Sequence, residues 1–535
     1  MPFARVIIVL NICIILLLIG IAAFSPILLD KNFVQDTVLW TDLAWRRMNG
    51  LHSVLDFPSF YGGSLENFTF ITAELFGFTF KTLDYTLILI FVASSIAIIC
   101  ASIGRISIFY TIIMVTLSAS IILAGSLSST GPEILVDHSG VYNRGGVAII
   151  LAVCIFTLNN HRDMKIEILS SIIMGIFIYT AALFKVTFFI IYFGAIASCG
   201  LQRRWISIGF LTLGVFIGML YFDFGGTRFI DSLRFILSSN AVQKYGLSDR
   251  FFSLFLILRN AFIPLFVTAA VLVYLLLIRA INIRFVAEIA FLFGAYLACM
   301  LSIGTNNAVL LIPISIIIMI SLSQKIESRP FWIASQFLVV IFSYSMIFPA
   351  SLTSIYAFFL STTNREAGLI ASGPASSYFV YGSSTKGLSS INNINDRLNI
   401  ALSRTVQKLT NEEDIDESDK YVFLAEGVKL LNKMENIKSY GIVSSSVYFN
   451  FPSAMGSKVV NSLQIWPEPG LSMMKERSKL GPDVDIVMIA RKTGKLSSYS
   501  SDLNAMMKDE FTSCASSTLW KMFVRKELHD KLCQI

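Results

Sequence analysis

Apolar stretches follow one another through the first 350 residues, and every second connector between them is basic. The basic connectors hold Arg5, Arg105, Arg162 with Lys165, Arg203 with Arg204, Arg279 with Arg284, and Lys325 with Arg329. The connectors between these are long, polar and acidic or mixed. Lys and Arg beside a membrane span stay on the side of synthesis. The alternation therefore predicts a cytoplasmic N-terminus, with the long first loop and the C-terminal tail on the far side. A span needs ~20 apolar residues to cross ~30 Å of hydrocarbon. Segments that approach this length are 6–28, 85–103, 107–126, 145–159, 166–184, 186–200, 206–222, 260–278, 285–303, 307–323 and 331–350. The reading is a mainly α polytopic membrane helix bundle with about eleven transmembrane helices. Segments 145–159 and 186–200 are short for a full crossing.

Composition fits. Of the 535 residues 55% are hydrophobic and 14% charged, against ~25% charged in soluble domains. The net charge of +7 is largely accounted for by the basic turns, so it reports topology and not a nucleic-acid partner. Residues 1–29 have one early Arg and then an unbroken apolar run with no small-residue cleavage pattern. They read as a retained first span and not as a removed signal peptide.

Two regions are expected. Residues 1–360 form the transmembrane module, including a first extracytoplasmic loop at 30–84. In that loop one helix runs from Asp36 to Arg47 and stops at Gly50. A second, Phe-rich stretch runs from Leu65 to Phe80 and is interrupted by Gly77. Both read as amphipathic helices at the membrane surface. A further outer segment spans 223–258. From Ser361 the chain turns polar. Strand-like runs at 378–382, 440–447, 485–490 and 518–524 alternate with helix-like runs at 391–409, 421–434 and 499–508. That alternation predicts an extracytoplasmic α/β domain over 361–535.

The residues able to carry chemistry gather in the outer connectors. The first loop reads Asp36, Asp42 and then Asp56, which precedes the Phe57–Gly63 turn with Pro58 and Tyr61. The loop between the third and fourth spans holds His138, Tyr142, Asn143 and Arg144. That mix of ring, amide and cation suits sugar hydroxyls or phosphate, and equally suits an interfacial aromatic beside a helix start. Lys185 and Arg259 are cations set in apolar sequence, where ionisable groups mark function or reach out to headgroups. Asp36 equally suits a helix cap, and Asp56 a turn start.

The order of acid, juxtamembrane helix, second acid and Pro/Gly turn resembles the GT-C superfamily of integral-membrane glycosyltransferases, among them the protein mannosyltransferases and the bacterial aminoarabinose transferase. The resemblance in residues covers about 36–65; in architecture it covers the whole chain. It implies a GT-C-like fold and transfer of a sugar from a polyprenyl-phosphate donor to a cell-envelope glycan or glycolipid, with inversion. Asp36 takes the place of the first acid and Asp56 the second, with Tyr61 in the turn. Thr37 stands where many members carry a second acid. Glycosyl transfer needs a base for the acceptor hydroxyl, which a carboxylate at the membrane surface supplies. Lys185 or Arg259 would hold the lipid phosphate. Asp42 is a further candidate base.

No metal site is expected. His138 lacks a second ligand at metal spacing, and the acidic run 411–419 has no turn glycine of a calcium loop. Mg or Mn with the donor phosphate stays compatible. No nucleotide-binding glycine loop, serine nucleophile elbow or zinc-protease pair is present. The basic asymmetry and the scarcity of glycosylation sites lean towards a bacterial inner membrane; the one acceptor, Asn67-Phe68-Thr69, is uninformative in this length. Cys514 and Cys533 pair if that far side is oxidising, and otherwise stay free. A transporter or flippase of a lipid-linked saccharide, and a sensor with an outer ligand-binding domain, remain as alternatives.

Overall fold

The computed structural model describes residues 2–24, 28–29, 34–52, 63–79, 81–124, 141–158, 163–238, 247–301, 312–325, 329–363, 367–369, 379–381, 391, 393–411, 413, 415, 417–445, 451–460, 480–491, 500–507 and 509–533. Apolar runs with no interior proline become long helices: α1 (Pro2–Phe24), α4 (Thr82–Ser102), α5 (Ile108–Leu123), α6 (Val141–Phe156), α7 (Met164–Phe184), α8 (Ile190–Leu201) and α9 (Trp205–Phe222). Two shorter helices, α2 (Val34–Met48) and α3 (Gly63–Phe76), lie between α1 and α4. After α10 (Thr227–Ser238) come α11 (Leu247–Leu277), α12 (Ile283–Leu301), α13 (Ile312–Lys325) and α14 (Arg329–Thr363). Among the described residues five helices are long and apolar enough to cross a membrane: Ala4–Phe24, Thr82–Ser102, Met164–Phe184, Trp205–Phe222 and Pro330–Tyr356. Five more apolar helices are shorter, among them Val141–Phe156 and Val186–Leu201, where short spans are expected.

α6 is the axis of the bundle. It is apolar all round, and every residue from Val147 to Phe156 is fully buried, as a helix without a polar face must be. α4, α5, α7, α8 and α13 pack around it. Small residues set the closest crossing. A Cβ on Gly175 of α7 would stand 2.1 Å from the Leu211 carbonyl of α9, and one on Gly214 would stand 2.1 Å from the Ile172 carbonyl. Backbones that meet this closely need glycine on both sides. Single polar pins fix neighbouring helices. Asn11 of α1 donates to Tyr344 of α14 at 2.8 Å, and Ser94 and Ser118 join α4 to α5 at 2.9 Å.

The basic turns meet at one end of this bundle. Arg105, between α4 and α5, donates to Glu167 of α7 at 2.7 Å. Arg204, just before α9, also reaches Glu167 at 3.1 Å, as does Ser207. Both guanidinium groups stack on Phe156, at 4.4 and 4.9 Å from the ring centre. Gln324 of α13 donates to the Arg105 carbonyl at 2.6 Å, and Gln202 to the Thr157 carbonyl at 2.7 Å. Helices α4, α6, α8 and α13 finish here, whereas α5, α7 and α9 begin here, so consecutive helices are antiparallel.

At the opposite end sits the C-terminal region. Its sheet has the order β4–β5–β7–β6, built from β4 (Ile442–Ser444), β5 (Ile486–Ala490), β6 (Phe511–Ser516) and β7 (Trp520–Arg525). β4 and β5 are parallel, and β5, β7 and β6 antiparallel. Helices α15 (Ile394–Thr410) and α16 (Glu417–Leu431) cover one face, where Trp520 donates its indole N–H to the Phe423 carbonyl at 2.8 Å. α17 (Phe451–Met455) and α18 (Ser500–Met507) complete the layers. Cys514 of β6 is disulfide-bonded to Cys533, just after α19 (His529–Leu532). The strand-like and helix-like runs fall on β4, β5, β7, α15, α16 and α18. β6 escapes, because Phe-Thr-Ser-Cys-Ala-Ser has no apolar alternation. Residues 378–382 fall on β3 (Phe379–Tyr381), which joins β2 (Ala367–Leu369) and β1 (Leu28–Leu29) in a separate sheet.

Candidate functional site

Two elements of the first loop are held between the bundle and the C-terminal region. In α2 the residues Trp40, Thr41, Asp42, Leu43, Ala44 and Arg46 are all buried, so the helix does not lie open at the surface as its amphipathic pattern suggests. Its cover is the C-terminal region. Trp45 donates to the Ser457 carbonyl at 2.8 Å, Arg46 to the Val460 carbonyl at 3.1 Å, and β1 pairs with β3 in parallel. Gly50, at a φ of +82°, ends the helix turn as its sequence position suggests.

Asp42 is 1% exposed and receives Arg46 Nε on Oδ2 at 2.7 Å. Its Oδ1 has no hydrogen-bond partner among the described residues. Two residues earlier, on the opposite side of the helix, Trp40 packs against Tyr142 of α6 with ring centres 5.5 Å apart. Asn143 and Arg144 follow Tyr142, both buried. Arg144 donates to the Ile122 carbonyl at 3.4 Å, and Asn143 Oδ1 lacks a partner among the described residues. Gly145 and Gly146, the next two residues, receive Phe184 and Phe188.

Those two phenylalanines bracket Lys185. Its backbone is extended, with φ −156° and ψ 123°, where α7 ends and a 3-10 turn (Val186–Phe189) begins. Lys185 is partly exposed, and its apolar surroundings push the ammonium down to about 8. Phe184 stacks on Phe68 of α3 at 5.7 Å. Asp42, Tyr142, Asn143, Arg144 and Lys185 thus share the end of the bundle opposite the basic turns.

Glu66 and Arg228 carry no mark in the sequence, yet both are 1% exposed and paired at 2.8 Å. Beside them Asp223 is fully buried. It accepts from Tyr179 and from the Phe229 N–H at 3.0 Å. Burial pushes its carboxyl up, against the pull of these hydrogen bonds and of Arg228. Glu66 sits in the first turn of a Phe-rich helix and Arg228 among scattered cations, so neither spacing nor composition singles them out.

Asp36 belongs to the first turn of α2 and Arg259 to α11; both side chains lie outside the described residues. So do Asp56, Tyr61 and His138 altogether. Among the described residues no group of three or more His, Cys, Asp or Glu is placed to hold a metal ion. Asp42 and Glu66 are engaged by guanidinium groups instead.

No protein-family model and no curated protein matches the chain. Among solved structures, ArnT from Cupriavidus metallidurans bound to undecaprenyl phosphate aligns over 96% of this chain and 97% of its own, with a TM-score of 0.48 and 9% identity. A likeness of that degree establishes neither a family nor a reaction.

Proposed function

We propose that the chain is a membrane glycosyltransferase. It moves a sugar from a polyprenyl-phosphate donor to a cell-envelope glycan or glycolipid on the outer face of a bacterial inner membrane. The helices would make about eleven alternating passes, with the N-terminus cytoplasmic and the C-terminal region outside. The Cys514–Cys533 disulfide supports that side, since such bonds persist in oxidising compartments.

One observation carries the reading. Trp40 to Ala44 and Arg46 of α2, Asp42 among them, are buried at the same end of the bundle as Lys185, Arg144 and Tyr142, and the C-terminal region meets the helix at Trp45 and Arg46. Acid, lipid-level cation and aromatic ring are the groups that transfer from a lipid phosphate requires. In the scheme, the Asp36 carboxylate takes the proton of the acceptor hydroxyl as its oxygen attacks C1 of the sugar. The bond from C1 to the phosphate oxygen breaks, and the lipid phosphate leaves with the electron pair. Attack opposite the leaving group inverts the anomeric centre. Lys185 and Arg259 bear the growing phosphate charge. Asp56 and Tyr61 hold the donor, and His138, Tyr142, Asn143 and Arg144 hold sugar or acceptor hydroxyls. Asp42, paired with Arg46, anchors α2 and is the second choice for the base. A divalent ion at the donor phosphate is compatible with this scheme but is given no step.

Transport of a lipid-linked saccharide is the second reading. It would require the basic end to open. Arg105, Arg204, Ser207, Gln202 and Gln324 tie that end together around Glu167 and Phe156, which favours the enzyme. Purified protein in nanodiscs, given a panel of polyprenyl-phosphate sugars with donor loss followed by mass spectrometry, tests the proposal. Turnover by wild type and not by Asp36→Asn is expected. A folded wild type that consumes no donor, yet moves lipid-linked saccharide across vesicles, would replace it with transport.

A further inference from the structure

The charges that this scheme leaves unused converge on the start of α3. Glu66 Oε2 accepts from Arg228 Nη2 at 2.8 Å. Its Oε1 lies 3.6 Å from Arg47 Nε and 4.0 Å from His52 Nδ1. Arg47 Nη1 and His52 Nε2 are 2.7 Å apart. The Arg228 guanidinium lies flat on Gly63, so close that a Cβ there would stand 2.2 Å from it. Ser64 adds a bond to the Thr180 carbonyl of α7 at 2.7 Å.

His52 and Gly63 are the two ends between which residues 53–62 run, and those residues include Asp56 and Tyr61. A single cluster, with Glu66 and Arg228 buried and Arg47 and His52 partly exposed, therefore holds both ends. It joins them to the corner between α9 and α10, where Asp223 accepts from Tyr179 and from the Phe229 N–H. Buried ion pairs add little net stability, because desolvation offsets their attraction, while removal of one partner leaves a buried charge uncompensated. Their effect is on placement.

We infer that Glu66 and Arg228 are positioning residues that fix both ends of the 53–62 segment against the α7 and α9–α10 corner. What they position rests on the proposed function; the anchoring itself does not. Misplacing a substrate-holding group by ~1 Å costs up to ~100-fold in rate. Glu66→Gln keeps the shape of the side chain and removes its charge.

Two readouts on the full chain in nanodiscs test the inference. The first is hydrogen exchange of peptides covering 46–52 and 63–69. Glu66→Gln is expected to speed exchange in both, by about tenfold, and to leave β5 and β7 unchanged. The second is donor kinetics per folded molecule. KM is expected to rise about tenfold or more, with Glu66→Asp recovering part of the loss. Arg105→Lys, at the other end of the bundle, serves as a structural control and is expected to leave KM unchanged. If Glu66→Gln does not insert, Arg228→Lys keeps the charge, loses the planar fork and supplies the same readouts. Unchanged exchange at either end, or faster exchange with unaltered kinetics, overturns the inference. Faster exchange at both ends, in a protein whose wild type consumes no donor, upholds the anchoring and removes the glycosyl-transfer reading instead.

Discussion

At Lys185 a single broken turn does two things. The chain leaves α7 in an extended conformation at φ −156°, which frees the side chain from the helical stack. Its neighbours Phe184 and Phe188 pack on Gly145 and Gly146 of α6, and burial lowers the ammonium to about 8. A lysine with a lowered pKa is a cation below that value and neutral above it. If Lys185 grips the donor phosphate, kcat/KM for the donor, which reports the free enzyme, declines as pH rises through about 8. Lys185→Arg is expected to keep the grip and remove that decline; a pH–rate profile of the two proteins checks it. Asp223 gives the opposite case. Burial favours its neutral form, so Asp223→Asn is expected to be tolerated. Asp223→Ala leaves Tyr179 and the Phe229 N–H without their acceptor, at a cost of about 1–3 kcal/mol per buried group. Thermal unfolding of the two variants separates them.

At the level of elements, glycine decides where helices meet. Gly175 and Gly214 let α7 and α9 touch backbone to backbone. Gly175→Ala places a methyl against a carbonyl that cannot move without its helix, and is expected to cost about 1–3 kcal/mol as overpacking does. The measurement is the fraction of folded protein after heating in detergent. Elements were also the most legible level of the sequence. Gly50 and Gly77 both take positive φ; Gly50 ends α2 where the sequence stops it, and Gly77, expected only to interrupt a stretch reaching Phe80, ends α3 at Phe76. β4, β5 and β7 coincide with apolar runs bounded by turns. What stayed hidden depends on contacts made across hundreds of residues. Glu66 finds Arg228 from 162 residues away, and Trp45 finds Ser457 from 412; no local pattern encodes either. The burial of α2 has the same origin, because its cover comes from the far end of the chain. Lys185 and Arg259 stand out because charge set in apolar sequence is rare enough to be seen alone.

For the whole molecule, the two ends differ in kind. The basic end is tied by charge pairs on Glu167 and stacking on Phe156. The other end combines buried acids, an amphipathic helix and a folded C-terminal region. Within that region Glu426 accepts from the Thr518 and Leu519 N–H groups at 3.0 and 3.1 Å, while burial pushes its carboxyl up. A carboxyl raised in the folded state binds more protons there than when unfolded. Its contribution is therefore full below the ordinary glutamate range and lost as pH rises through the raised value. Unfolding of the region followed against pH is expected to show that slope in wild type and to lack it in Glu426→Ala. The Cys514–Cys533 bond closes a loop of 19 residues, worth about 3 kcal/mol by chain entropy. Reduction is expected to lower the stability of β6 and β7 and to leave the helix bundle intact, as hydrogen exchange can show.

In the proposed reaction an acid of α2 removes the acceptor proton while a lipid phosphate leaves. Donor consumption by wild type, Asp36→Asn and Asp42→Asn in nanodiscs, each normalised to folded protein, tests it most directly. Turnover is expected in wild type and near-complete loss in Asp36→Asn. For Asp42→Asn, which weakens the Arg46 pair but leaves the proposed base in place, a smaller loss is expected. Equal turnover in wild type and in both variants would contradict it, because no acid of α2 would then take part in the transfer.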